Sequence, residues 1–178
     1  MSLFTRIALK PRLIPAKAFN KRLASNMSGP PKKEMVYFPN MTTALPATSG
    51  EFRKVLWTGL YSQVVLMTIP VGGDIGEEIH TVDQALNFTS GTAKATVGGK
   101  DQEVKAGDLV VVPAGTKHQF VNSGPTPLIL YTIYSPAEHD PATVHKTKEE
   151  GDEFEEAGKD EPPEWSQKSK AENKAAGV

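Results

Sequence analysis

The sequence predicts an all-β fold, of the sandwich, jelly-roll or closed-barrel type, for the middle of this 178-residue chain. Between residues 52 and 135 the apolar runs are short, rich in β-branched residues and separated by glycine. No segment of this region keeps a 3.6-residue apolar period for long enough to favour a helix. Gly98-Gly99 indicates a two-residue hairpin turn between two of the runs.

Residues 1–30 form a basic extension ahead of this region. All of their charged residues are Lys or Arg, and Arg22 precedes Leu23-Ala24-Ser25, which resembles a processing site. This composition predicts a mitochondrial transit peptide. The alternative is a basic extension without a targeting role, on a cytoplasmic protein.

The predicted strands follow from the apolar runs at residues 55–57, 63–69, 93–97, 109–112 and 128–134. With flanking strands and a strap, they define one domain over residues 36–146. His139 and His145 fall in the strap, and their position beyond the barrel favours a structural role over catalysis.

The polar segment 147–178 contains little apolar surface apart from Phe154 and Trp165. Such a composition cannot offset the conformational entropy that folding costs. We therefore expect a largely disordered acidic tail, with one short helix near residues 146–157 as the exception.

A polar cluster is predicted where Glu78 and His80 stand two positions apart. Residues two apart on a strand face the same side, so these side chains project together. After a short turn, Gln84, Leu86 and Phe88 share a face, as expected for a barrel interior with polar residues at one end.

A second stretch, residues 107–122, contains two turns. Gly107-Asp108 begins it, and Pro113-Ala114-Gly115 turns the chain again because Gly115 can adopt a positive φ at little cost. The second turn delivers His118 to the start of a new strand.

These two stretches resemble the two motifs of the cupin superfamily. The first has the pattern G-x5-E-x-H-x3-Q-x6-G from Gly72 to Gly91, and the second G-x5-P-x-G-x2-H-x3-N from Gly107 to Asn122. The chain is most similar to small single-domain cupins of type 2, including uncharacterised bacterial ones. The resemblance implies a double-stranded β-helix barrel with a metal near one mouth, and a homodimer.

The resemblance also implies the metal ligands, which are Glu78, His80, Gln84 and His118. Two of them depart from the usual pattern, because Glu78 replaces a histidine and Gln84 replaces a glutamate. The two changes offset each other in charge. Imidazole, carboxylate and amide oxygen suit a divalent transition metal, Mn, Fe, Ni or Zn. If Gln84 binds weakly, two histidines and one carboxylate remain, with open positions for O₂ or substrate.

Several partner classes are excluded or disfavoured by composition. The chain has no cysteine, so thiolate ligands and disulfides are excluded. A net charge of −1 gives no case for nucleic acid, and no apolar run reaches the roughly 18 residues that cross a membrane.

The predicted function is that of a metalloenzyme acting on a small oxygen-rich metabolite, by dioxygenase, decarboxylase or isomerase chemistry. The alternatives are a phosphosugar isomerase-like cupin and a non-catalytic metal- or metabolite-binding module. Phe88, Phe120 and Tyr131 are candidates for the pocket wall. The sequence offers no clear general acid or base.

Overall fold

The structure is a computed structural model that describes residues 29–39, 41 and 50–178. The predicted transit peptide therefore lies outside the described residues except for its last two positions. Ten strands form the described barrel: β1 (Arg53–Thr58), β2 (Gln63–Ile69), β3 (Asp74–Glu78), β4 (Asp83–Ser90), β5 (Thr92–Val97), β6 (Lys100–Lys105), β7 (Leu109–Val112), β8 (His118–Asn122), β9 (Leu128–Ser135) and β10 (Val144–His145).

The strands form two antiparallel sheets packed face to face, which is the double-stranded β-helix expected from the motifs. The larger sheet has six strands in the order β10-β1-β2-β9-β4-β7, and the smaller has four in the order β3-β8-β5-β6. Each predicted run lies in a strand. Gly98 and Gly99, at φ 56° and 76°, join β5 to β6 as the hairpin signal predicts.

The core lies between the two sheets and follows the alternation of the strands. Leu86 and Phe88 of β4 face inward and are at most 2% exposed, as is Phe120 of β8. They pack with apolar side chains from both sheets. One end of this interior is polar, and there Gln84 and His118 are buried just beyond the apolar layer.

The segment after β10 is folded, which corrects the prediction of a disordered tail. It contains α1 (Lys148–Glu156), a 3₁₀ turn (Glu164–Ser166) and α2 (Lys170–Ala175). The short helix expected near residues 146–157 is confirmed as α1, which begins where Thr147 accepts a hydrogen bond from the Glu150 amide.

Polar contacts, rather than apolar burial, hold this segment against the barrel. Asp160, Ser166 and Asn173 are each at most 5% exposed. Asn173 Nδ2 donates to the Tyr61 hydroxyl at 3.2 Å, and Gln167 Nε2 donates to the Ala137 carbonyl at 2.8 Å.

Within the described ranges, no helix has the length and apolar character needed to span a bilayer.

Candidate metal centre

Glu78 and His118 meet because their strands pair. Glu78 is the last residue of β3, His118 is the first of β8, and the two are direct partners in the antiparallel register. Neighbours across such a pair have side chains on the same face. His118 Nε2 lies 3.9 Å from Glu78 Oε2.

His80 joins them from just beyond the end of β3. Its Nε2 lies 3.0 Å from Glu78 Oε2, and its ring centroid is 5.1 Å from that of His118. The backbone carbonyl of His80 accepts a hydrogen bond from the Gly115 amide at 2.8 Å. The Gly115 turn, at φ 75°, therefore ties the two motifs together. Ile79, between Glu78 and His80, is 63% exposed.

The hydrogen bonding of His118 leaves one ring nitrogen directed at the site. Its Nδ1 lies 2.8 Å from the Thr116 carbonyl, which can only accept, so Nδ1 carries the proton. Nε2 is then a lone-pair donor. It is buried and has no hydrogen-bond partner among the described residues.

His80 is held between two carboxylates. Its Nδ1 donates to Glu138 Oε1 at 2.9 Å, and Nε2 faces Glu78. Burial disfavours the charged ring, but the hydrogen bonds to Glu138 and Glu78 outweigh it and raise the pKa of His80 to about 9. Without an ion the ring is therefore an imidazolium, and a metal would replace the proton on Nε2.

Glu78 divides its two oxygens between a cation and the histidines. Oε1 lies 3.5 Å from Arg53 Nη2, while Oε2 faces His80 and His118. Burial alone would raise the pKa of Glu78, but the hydrogen bond from His80 and the charge of Arg53 outweigh burial and lower it. The carboxylate form of Glu78 is thus favoured at the site.

Gln84 is buried on β4 and offers an oxygen without a partner. Its Nε2 donates to the Tyr134 hydroxyl at 3.0 Å, while Oε1 has no hydrogen bond among the described residues. Tyr134 is fully buried, and its ring packs edge-on against His80 with centroids 5.5 Å apart. Burial holds the pKa of Tyr134 above its usual value, so its hydroxyl stays protonated.

The donor atoms fit a divalent metal ion. One atom each of Glu78, His80 and His118 can be chosen so that all three lie within 4.8 Å of one another. Ligand atoms that each lie about 2.0–2.2 Å from a common ion are separated from one another by at most twice that distance, which this cluster approaches. The unpartnered Nε2 of His118 is the buried lone pair that such an ion would satisfy, and Gln84 Oε1 is a second buried atom without a partner among the described residues.

The cluster opens into a cavity of about 310 Å³ with an acidic wall. The wall residues, which come from both the barrel and the C-terminal segment, are Glu78, Ile79, His80, Glu138, His139, Glu155, Asp160 and Glu161.

A second group of ligand-type side chains, His139, Glu155 and Asp160, is organised around a guanidinium instead. Arg53 is 1% exposed, bonds to Glu155 through Nη1 and lies 3.7 Å from Asp160 Oδ2. His139 Nδ1 donates to Asp160 at 2.9 Å. Because Arg53 already supplies the positive charge between these carboxylates, the group does not need a metal ion.

The pocket candidates lie elsewhere. Phe88 and Phe120 belong to the core below the site, with ring centroids 5.8 Å apart. Tyr131 lies on the face of β9 opposite Tyr134, because the two are an odd number of residues apart. The cavity wall is formed by other residues.

Sequence reasoning missed Glu138 and the C-terminal carboxylates. Glu138 follows β9 in the strap, where no strand or helix period indicates a direction. Glu155 and Asp160 lie in the segment predicted to be disordered. The one available signal was Arg53, a lone arginine in the barrel sequence, since a buried arginine requires carboxylate partners.

Comparison with known proteins agrees with this geometry. The family described as "Cupin domain" matches residues 65–134. The crystal structure of BH2720 from Bacillus halodurans is 38% identical, covers 69% of this chain and 96% of its own, and superposes with a TM-score of 0.62.

Two further relatives each match about half of the chain. The uncharacterised protein YrkC of Bacillus subtilis is 46% identical over 107 residues, which are 56% of this chain. The uncharacterised protein L612 of Acanthamoeba polyphaga mimivirus is 42% identical over 99 residues, which are 52% of this chain. The chain spans 58% and 61% of the length of these two proteins. From the two motifs, the double-stranded β-helix and these matches, the chain belongs to the cupin family.

Proposed function

We propose that this cupin is a metalloenzyme in which Glu78, His80 and His118 hold a divalent transition metal, with Gln84 as a fourth donor. The observation that supports it best is His118 Nε2, a buried lone pair without a partner, 3.9 Å from Glu78 Oε2. A buried imidazole nitrogen without a hydrogen bond costs free energy that an ion would recover.

The residues around the ligands would prepare a small oxygen-rich metabolite for reaction. A divalent ion on two histidines and one carboxylate supplies Lewis acidity at its open positions, which dioxygenase, decarboxylase and isomerase chemistry can each use. Glu138 fixes the ring of His80 and also lines the cavity. Its other oxygen has no partner among the described residues and could hold a proton during turnover, which is the acid–base group that the sequence did not reveal.

Neither alternative function gains support from a specific contact. A phosphosugar isomerase needs cations facing the phosphate. Among the described residues that line the cavity there is no lysine or arginine, and Lys117 pairs with Glu77 on the surface at 2.6 Å. A non-catalytic binding module would share the same ligands, so turnover rather than metal content separates it from an enzyme.

The first experiment measures metal content in protein purified without a histidine tag and supplied with Mn, Fe, Ni or Zn. We expect about one equivalent of one of these ions by mass spectrometry. Glu78→Gln should lose it, because the amide removes the negative charge of the ligand set. Glu77→Gln is the matched control, since Glu77 faces solvent and should not affect the ion.

Retention of the ion by Glu78→Gln, with a melting temperature equal to that of the parent, would contradict the assigned ligands. An anaerobic titration with the bound metal, followed by a screen for O₂ consumption and for substrate turnover, then tests the enzyme against the binding module. A metal-loaded protein without turnover in any assay would favour the module.

Two further properties of the protein are also proposed, a homodimer and mitochondrial targeting. The dimer rests on resemblance to other small cupins, and light scattering at micromolar concentration tests it. Targeting rests on the basic composition of residues 1–30. Fusion of these residues to a fluorescent reporter should give mitochondrial signal, and a diffuse signal would end the proposal.

A further inference from the structure

The wall of the metal-facing cavity has a marked excess of negative charge. Five carboxylates line it, Glu78, Glu138, Glu155, Asp160 and Glu161. Glutamate and aspartate side chains in proteins are normally ionised at neutral pH. The positive charge nearby is smaller, because Arg53 carries one unit and a divalent ion on the proposed ligands would add two. The ammonium of Lys148, which also interacts with Glu78, is neutralised by Asp152 at 2.6 Å. The region is therefore left about two charges negative.

The carboxylate without a partner lies on the solvent-exposed side of the cavity, which we call its mouth. Glu78 faces the histidines, Glu138 bonds to His80, and Arg53 bridges Glu155 and Asp160 from behind the wall. Glu161 is exposed and makes no hydrogen bond or ion pair among the described residues. A small molecule that enters the cavity thus passes the unneutralised carboxylate of Glu161 before it reaches the metal-binding side chains.

A second feature of the wall is a buried polar atom that no protein group satisfies. His139 lines the cavity, is 2% exposed, and has no partner for Nε2 among the residues described. Its Nδ1 donates to Asp160, so Nε2 is an acceptor. Buried polar atoms are normally paired, and an N–H or O–H of a bound molecule could fill this role.

We propose that the natural ligand of this cavity is a small amine with an oxygen-donor end, its ammonium group directed to the acidic mouth and its oxygens to the metal. This inference rests on the proposed function, because the oxygen-donor end requires the ion. It narrows the oxygen-rich metabolite to a cationic or zwitterionic one and excludes phosphates and dicarboxylates.

Three hydroxamates that share a metal-chelating end and differ in the charge of the tail provide the test. They are β-alanine hydroxamate (cationic), propanohydroxamate (neutral) and succinic monohydroxamate (anionic), each titrated calorimetrically into metal-loaded protein at neutral pH and low salt. One unit charge several ångströms from a net negative wall is expected to tighten the cationic probe about threefold to tenfold over the neutral one. The anionic probe should bind correspondingly more weakly.

Matched variants locate the effect. Glu161→Gln should reduce the preference for the cationic probe by about twofold, because it removes the unpaired charge at the mouth. Glu156→Gln, an exposed glutamate of α1 that does not line the cavity, should leave the preference unchanged. A rise in ionic strength to about 0.5 M should reduce the differences in affinity among the three hydroxamates, because salt screens the charges.

The outcomes distinguish the two proposals. Equal affinities, a preference for the anionic probe, or no binding of any probe to protein that holds its metal would overturn the ligand class and leave the metal site standing. Failure to take up metal would overturn the proposed function, and this inference with it.

Discussion

His118 shows how a single backbone contact sets the chemistry of a side chain. The Thr116 carbonyl fixes the proton on Nδ1, so the ring presents a lone pair rather than an N–H to Glu78. The resemblance of the two stretches to the cupin motifs was sufficient to predict that these two residues meet, and the pairing of β3 with β8 brings them together. It was not sufficient for Glu138, whose direction depends on the path of an irregular strap.

Glu138→Gln should weaken metal binding without unfolding the protein. The carboxylate orients His80 and makes its ring more basic, and loss of such a partner typically costs about tenfold to a hundredfold in metal affinity. Competition with a chelator measures the dissociation constant. Glu153→Gln, on the exposed side of α1, is the control. Unchanged affinity in Glu138→Gln would show that His80 does not need its partner.

Asn122→Ala should destabilise the barrel by about 2–4 kcal/mol. The side chain is 3% exposed, and its Nδ2 lies 3.0–3.1 Å from the carbonyls of Ile69, Pro70 and Thr126, while Oδ1 accepts from Gly124 N. Alanine removes all of these contacts, although the Pro70 carbonyl and Gly124 N keep another backbone partner, Gly73 N and the Thr92 carbonyl respectively. Urea unfolding measures the loss.

The matched control for this prediction is Asn87→Ala. Asn87 is half-buried on β4, and its side chain makes no hydrogen bond among the residues that the structure describes. We expect a change below about 1 kcal/mol there. Equal losses in the two variants would mean that the last residue of the second motif has no special role in holding the turn.

At the scale of elements, the strands and the C-terminal segment differ in how they can be predicted. Strand positions follow from the alternation of apolar residues, which packing between two sheets requires. The C-terminal segment is held by caps and by buried polar groups such as Asp160 and Ser166. Polar contacts of this kind depend on distant partners, so composition alone favoured disorder.

Gly91→Ala should cost much more stability than Gly99→Ala. Both glycines have positive φ, 80° and 76°, which costs an alanine about 1 kcal/mol or more. At Gly91 a Cβ would also lie 2.8 Å from the Pro127 carbonyl oxygen and 2.9 Å from Leu128 Cα, whereas nothing lies within 4 Å at Gly99. We expect roughly 3 kcal/mol for Gly91→Ala, measured by denaturant unfolding. Similar losses would show that β9 shifts freely.

For the whole molecule, acid should weaken folding through the contact between the strap and the C-terminal segment. Burial lowers the pKa of His139, and its hydrogen bond to Asp160 opposes this only in part. For Asp160, burial alone would raise the pKa, but the hydrogen bonds from His139 and Thr143 and the charge of Arg53 lower it. Below the ordinary histidine pKa of 6.5 the unfolded chain therefore binds protons that the folded chain does not.

Each of these groups changes the free energy of unfolding of the metal-free protein in a definite direction as the pH falls. The contribution of His139 is complete above pH 6.5 and decreases below it, and that of Asp160 is complete above about pH 4 and is lost as the pH falls through its folded value. His80, with a folded pKa of about 9, stays protonated in the folded state while the unfolded ring takes up its proton around pH 6.5, so it offsets part of the loss between pH 7 and 5.5 and adds no slope below that.

Unfolding free energies at pH 7, 5.5 and 4 test this linkage. We expect the parent to lose stability at each step, and His139→Gln to lose less between pH 7 and 5.5. An identical slope in the variant would assign the acid sensitivity to other groups.

The ion pairs of Arg53 also bear on binding measurements made with a shortened form of the protein. The boundaries of the family match, residues 65–134, exclude both the arginine and its partners Glu155 and Asp160. A fragment that kept β1 but ended after β10 would retain the Arg53 cation, which lies 3.5 Å from Glu78, with two of its three counter-charges removed. Binding constants obtained on such a fragment would describe an electrostatically altered centre, so activity screens should begin with the intact C terminus.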